Sequence, residues 1–255
     1  MKPLPSFGTA SLFHPMNRIA DYDTIEDVYQ DEMVLKGSRF IGIVMPCNTE
    51  SEIPVCIDKV SKQYPNATHY CYAAVFNGSE RKEKSSDNGE PSGTAGKPIL
   101  FMLKGSGLTN IICIVVRYFG GTLLGTGGLV HAYTEGSRIA LEKVVRHTRT
   151  ACAVYNFTLD YPYYSIFESK CRDLMARSPS CDYSAKVDVK AWIRLENEEE
   201  FVRRITDLTE RHVMLKPSDD EYIDDAFPRR KRRLPHVPNQ DMVQFIRLIS
   251  YGAAC

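Results

Sequence analysis

The sequence has no surplus of charge: 32 Lys and Arg stand against 32 Asp and Glu, a formal net charge of zero. Such balance gives no long-range pull toward nucleic acid or a membrane, so binding of that kind needs a local patch. No apolar run approaches the ~20 residues that span a bilayer. The opening MKPLPSFGTASLFHP lacks the apolar segment of a signal peptide. There is no CxxC pair among the eight cysteines, which argues against a zinc knuckle or a thioredoxin-type centre. HExxH, GxSxG, GxGxxG and GxxxxGK[ST] are also missing, which removes the commonest peptidase, hydrolase, dinucleotide and phosphate-loop signatures. Cys71 in HYCYAAVF and Cys113 in IICIVV sit inside apolar runs, as reduced, buried thiols do. The expectation is a soluble, cytoplasmic chain with no membrane partner, no cofactor and no metal.

What is present is an ordinary globular composition. Of 255 residues, 43% are hydrophobic and 25% charged, enough for one or two cored domains. Residues 1–30 read as a loose leader. Phe40 to Met45 (FIGIVM) predicts a strand, Thr49 or Ser51 the cap of a helix that runs to about Tyr64 and is ended by Pro65, and Thr68 to Phe76 a second strand. Asn77 to Lys84 reads as a polar loop, and Thr94 to Leu103 as a helix with Pro98 in its first turn. Asn110 to Tyr118 (NIICIVVRY) predicts a strand buried on both faces, and Leu129 to Arg146 a helix. From 150 to 215 a strand, a helix, the alternating strand Ser184 to Leu195, a helix and the short strand Val213 to Leu215 suit a ferredoxin-like α/β sandwich. Residues 216–255 read as a charged, flexible tail, with acidic DDEYIDD, basic RRKRR (229–233) and the short apolar MVQFIRLI (242–249).

Two glycine-rich constellations carry the chemistry. RYFGGTLLGTGGLVHAY places Gly120, Gly121, Gly125, Gly127 and Gly128 between a strand and a helix. Such a turn can aim amides inward as an anion nest beside Arg117 and Tyr118, with the helix dipole behind it. The other reading is tight packing, with Arg117 paired to Glu90 so that two loops are fixed. The second constellation, SDNGEPSGTAGKP, offers Ser92, Gly93, Thr94 and Lys97 at a helix start for an anion, and Asp87 and Glu90 as an acid/base pair or a hard-metal site suited to Mg²⁺. The competing reading has those carboxylates pairing with Arg117 or capping helices. His69 and Cys71, two apart on a strand, are a possible thiol–imidazole pair or ordinary core residues.

Taken together, AxHxCxA (Ala67 to Ala73), DxGEPxGTAGxPxL (Asp87 to Leu100) and RYFGGxxLGxGGLVxAY (Arg117 to Tyr133) resemble the YigZ/IMPACT family. The resemblance is strong from about Met33 to His147 and weak from Thr150 to Leu215. It implies an α+β fold: over 31–149, an N-terminal domain like the second domain of a small-subunit ribosomal protein (a βαβ sandwich), followed by a ferredoxin-like α/β sandwich over 150–215. It also implies regulation of translation in a stress response, with structured RNA, the ribosome or a translation-regulatory protein as partner. Leu123 stands where many members carry Lys, and His131 where many carry Arg, which leaves Arg117 and Lys97 as the main cations. An enzyme acting on a phosphorylated or carboxylated small molecule is the alternative, with Asp87, Glu90 or His69 as its acid/base groups.

Overall fold

A computed structural model describes residues 20–77, 82–210 and 213–224. They form two compact units that part between Thr148 and Arg149. Both are α+β with antiparallel sheets, the class expected. Among the described residues no helix is long and apolar enough to cross a membrane.

The first unit holds β1 (Tyr22–Thr24), β2 (Tyr29–Leu35), β3 (Ser38–Pro46), α1 (Ile53–Gln63), β4 (His69–Phe76), β5 (Lys82–Ser86), α2 (Gly96–Ser106), β6 (Ile111–Tyr118) and α3 (Gly125–Glu142). Its sheet runs β2-β3-β6-β4-β5, with β6 in the centre. Alternate β6 residues Ile111, Cys113 and Val115 join the core under α2 and α3. Ile112, Ile114 and Val116 join the core under α1. Covering both faces explains why an antiparallel strand reads as an unbroken apolar run. Close approach of α3 to the sheet depends on two facing glycines, since a Cβ on Gly42 would lie 2.0 Å from the Gly136 carbonyl oxygen.

The second unit adds β7 (His147–Leu159, entering from the first unit), α4 (Tyr161–Cys171), β8 (Ser180–Tyr183), β9 (Val187–Arg194), α5 (Glu198–Leu208) and β10 (Lys216–Asp224). The sheet order is β10-β7-β9-β8, and α4 and α5 bury Phe167, Phe201 and Ile205 against one face. The element order is therefore β-α-β-β-α-β, one strand more than the sequence pattern displays.

Four expectations are corrected. The leader read over 1–30 contains β1 and the start of β2. Lys82 to Lys84, read as loop, belong to β5, which pairs with β4. The strand read at Val213 to Leu215 forms instead at Lys216–Asp224, so the tail expected from 216 begins as a strand paired with β7. The helix read from Leu129 starts four residues earlier, inside the glycine cluster, at Gly125. The basic run 229–233 and the segment 242–249 lie outside the described residues.

Candidate functional site

Register places the key side chains before any loop does. Phe40 of β3, Arg117 of β6 and His69 of β4 are direct cross-strand neighbours. All three point to the face covered by α2 and α3, because alternate residues share a face. Cys71, two residues beyond His69, lies on that face as well. Over this row passes the turn Asp87 to Ala95, and from α3 comes Tyr133, fully buried and edge-on to Phe40 at 5.4 Å between ring centres.

Glu90 is the hub. Its Oε1 accepts from Arg117 Nη1 at 2.6 Å and from the Tyr133 hydroxyl at 2.7 Å, and lies 3.7 Å from His69 Nε2. Glu90 and Arg117 are 8% and 5% exposed, so this is a buried ion pair. Arg117 Nη2 reaches Ser38 Oγ at 3.4 Å, and the guanidinium is flanked by the Phe40 and Phe119 rings at 5.4 and 5.5 Å. Its Nε is buried without a hydrogen-bond partner. An arginine held on this many sides fixes β6 to the turn above it; it does not reach outward.

Asp87 is committed just as fully. Its carboxylate accepts from the backbone N–H of Gly93 at 2.8 Å, Ala95 at 2.9 Å and Gly96 at 2.8 Å. The amides at the start of α2, offered by the sequence as an anion site, already hold an anion from within the chain. Gly93, within the turn whose amides meet Asp87, takes φ +77°, a backbone shape that L side chains rarely adopt. The Asp87 carbonyl accepts from the Cys71 thiol at 2.9 Å, and the Asn88 carbonyl lies 2.8 Å from His69 Nδ1, which must carry the proton to bond it.

The electrostatics follow. Burial pushes the Cys71 thiol up to about 12, with Glu90 and Asp87 adding to the rise and the Tyr133 hydroxyl opposing it. Burial, the neighbouring Cys71 and the bond to Glu90 push Tyr133 upward as well. Cys71 therefore stays a thiol and Tyr133 a phenol at neutral pH, acting as donors within a closed network. Neither the thiol–imidazole nucleophile nor the Asp87/Glu90 acid/base pair is assembled, and the pairing reading of both carboxylates is what forms. Among the described residues no group of three or more His, Cys, Asp and Glu side chains is placed to hold a metal ion.

The second glycine turn differs. The Phe119 N–H donates to Thr68 Oγ1 at 3.0 Å and the Gly120 N–H to Ser38 Oγ at 3.1 Å, which ties down its base. Beyond that base, Gly121 to Leu123 and Gly125 to Gly127 are exposed, and the α3 N-cap, Leu124, provides no side-chain bond to the first amides. Leu123 is 85% exposed and Phe119 46%. Of the five glycines expected to form an anion nest, Gly120 gives its amide to Ser38, while Gly121, Gly125 and Gly127 are exposed and Gly128 half-buried at the start of α3. Tyr118 faces the opposite side of the sheet, where its hydroxyl donates to the Pro65 carbonyl at 3.0 Å. Ser92 and Lys97 are exposed, while Thr94 is buried and donates to the Pro91 carbonyl at 2.7 Å. Ser38 and Thr68 escaped the sequence reading, and Tyr133, placed by it on the helix after the glycines, was given no role. Only the register could have found Ser38, and Tyr133 shows itself by counting turns from the start of α3.

Comparison with known proteins completes the picture. The model of the Impact N-terminal domain matches residues 36–141. The chain is 32% identical over 205 residues to the IMPACT family member YvyE of Bacillus subtilis (strain 168), covering 80% of this chain and 94% of that protein. It is 33% identical over 183 residues to the IMPACT family member YigZ of Escherichia coli (strain K12), covering 71% and 90%. A crystal structure described as that of a hypothetical protein is similar at 30% identity with a TM-score of 0.54, covering 77% of this chain and 97% of that one.

Proposed function

The chain belongs to the IMPACT family, and from that premise we propose that it is a regulatory binding protein of translation that works by contact with a partner, not by catalysis. What supports the reading is one contrast. Every acid/base candidate of the buried cluster is bonded within the chain, whereas the turn Phe119 to Gly127 presents exposed apolar side chains on a fixed base. Of the partner classes considered, a translation-regulatory protein suits this surface better than RNA or the phosphates of the ribosome. Arg117 is taken up by Glu90, and the turn offers Leu123 and Phe119 for apolar burial.

The test is a cell-free translation reaction supplemented with purified protein. The wild type changes the yield, and Leu123→Glu, with an unaltered circular-dichroism spectrum, loses about tenfold in potency, the equivalent of about 1.4 kcal/mol of contact. Raising the salt leaves the effect nearly constant, whereas phosphate-dominated binding falls steeply. A wild type without effect on yield ends the proposal; an effect that vanishes with salt and survives in Leu123→Glu moves the partner to RNA.

A further inference from the structure

Two helices of the first unit begin at one end of its sheet. β6 ends at Tyr118 and leads through the glycine turn to α3 at Gly125. α2 ends at Ser106, and only residues 107–110 separate it from the start of β6, so α2 begins toward the far end of that strand. The bond from Arg117 to Glu90, in the turn before α2, fixes this placement. The hairpin turn between β2 and β3 belongs to the same end, because Gly37 abuts Gly120 and Arg39 lies opposite Tyr118. The positive poles of two helix dipoles therefore share one end of the unit.

The side-chain charges there do not balance. Asp87 and Glu90 are taken up within the chain by the α2 amides and by Arg117. Asp31 and Glu32 of the hairpin are paired with Lys143 and Arg39. Lys36 and Lys97 are exposed and have no ion pair among the described residues. Each stands where local preference is against it. Lys36 takes φ +46°, a left-handed shape that glycine and asparagine adopt more readily. Lys97 is the second residue of α2, where the dipole disfavours a cation. Residues that break local rules at a surface, without a packing reason, mark a place of contact. Beside them the exposed Phe119 and Leu123 offer apolar area. Two lysines are few for a nucleic-acid backbone, which engages roughly 6–10 phosphates in proteins that depend on it. Cations at the rim of an apolar patch suit carboxylates around an apolar side chain.

We infer that this end receives an acidic segment of a partner protein, in which carboxylates flank an apolar or aromatic side chain. The carboxylates pair with Lys36 and Lys97, and the apolar side chain is buried against Leu123 and Phe119. The inference rests on the contact reading proposed above and gives the partner its chemistry.

The probe is a dye-labelled random copolymer of glutamate and tyrosine, titrated with the full chain and followed by anisotropy. The run RRKRR attracts any polyanion, so the quantity read is the difference between a variant and the wild type. The double variant Lys36→Glu, Lys97→Glu binds the copolymer about tenfold more weakly at low salt, and the gap closes as salt is raised. Leu123→Ser binds it about fivefold more weakly at any salt. Polyglutamate, which has no aromatic ring, does not distinguish Leu123→Ser from wild type. Lys170→Glu, on α4 of the second unit, binds the copolymer as wild type does. An unaltered circular-dichroism spectrum is required of each variant, and either the charge variant or the apolar one decides by itself. A copolymer bound equally by wild type and by either folded variant overturns the proposal. Polyuridylate that loses more affinity than the copolymer in the double variant gives the surface to RNA and overturns it too. A wild type that still alters translation after either result keeps the contact reading, so the two ideas fail separately.

Discussion

Gly120 meets Gly37 backbone to backbone: a Cβ placed on Gly120 would lie 1.9 Å from the Gly37 carbonyl carbon and 2.3 Å from the Ser38 nitrogen. Gly120 is thus required by a close approach and not by a ligand, while Gly127, seven residues on, has open space around its missing side chain. Gly120→Ala should therefore destabilise the first unit by about 3 kcal/mol, the upper range for forcing atoms into a packed site. Gly127→Ala, inside α3, should be neutral or stabilise by up to about 1 kcal/mol, since alanine is the better helix former. Urea titrations of the two variants check this. A Gly120→Ala protein as stable as wild type would mean that the turn relaxes away from β3.

Glu90 and Arg117 predict a different signature. Breaking a buried pair leaves the surviving charge unpaired and costs about 3–5 kcal/mol, whereas removing both partners costs less than the sum. Glu90→Gln and Arg117→Met should each be strongly destabilising, and the double variant should recover at least about 1 kcal/mol relative to additivity. Additive losses in the double-mutant cycle would show that the pair is not coupled.

How far the sequence was legible follows from where each element sits. The central strands β3, β4 and β6 and the helices packed on them bury enough apolar residues for periodicity to reveal them. The strands that were missed or misplaced, β2, β5, β8 and β10, lie at the margins of the two sheets, where polar residues are favoured because, among the described residues, one edge is left without a neighbouring strand. Lys82–Ser86 reads KEKSS and Lys216–Asp224 reads KPSDDEYID, and neither carries an inward apolar stripe. At the site, residue types and order pointed to the right neighbourhood, and the pairing of Glu90 with Arg117 was one of two readings the sequence left open. The choice needed three-dimensional information: whether three amides converge on Asp87 depends on the φ of Gly93, and no pattern of residue types encodes which anion fills a helix start.

Asp87 tests that last point. Asp87→Asn keeps the shape of the side chain but removes its charge and one acceptor oxygen, so the amides of Gly93, Ala95 and Gly96 lose a charge-assisted partner at the positive end of α2. The expected loss is about 2 kcal/mol, with amide hydrogen exchange accelerating first over Gly93 to Gly96. An added carboxylate or phosphate should restore part of the loss if the vacated amides accept an external anion. Unchanged exchange in that segment would show that the carboxylate is not what orders the turn.

Alkaline pH should weaken the first unit through its buried thiols. Burial pushes Cys71 and Cys113 from an ordinary 9.0 up to about 12. Unfolded thiols lose their protons near pH 9, while the folded ones keep them to about pH 12, so the native state binds more protons across that window. Stability then falls as pH rises, because its slope follows the protons bound unfolded minus those bound folded. The contribution of each thiol is intact below about pH 9 and declines through the window, by up to about 4 kcal/mol for the fully buried Cys113. Cys113→Ala removes one of the two titrations. Whatever it costs at neutral pH, its stability should decline less steeply above pH 9 in urea midpoints followed by circular dichroism. Parallel declines in wild type and variant would mean that this thiol ionises in the folded protein as readily as in the unfolded chain, and that its burial carries no penalty for charge.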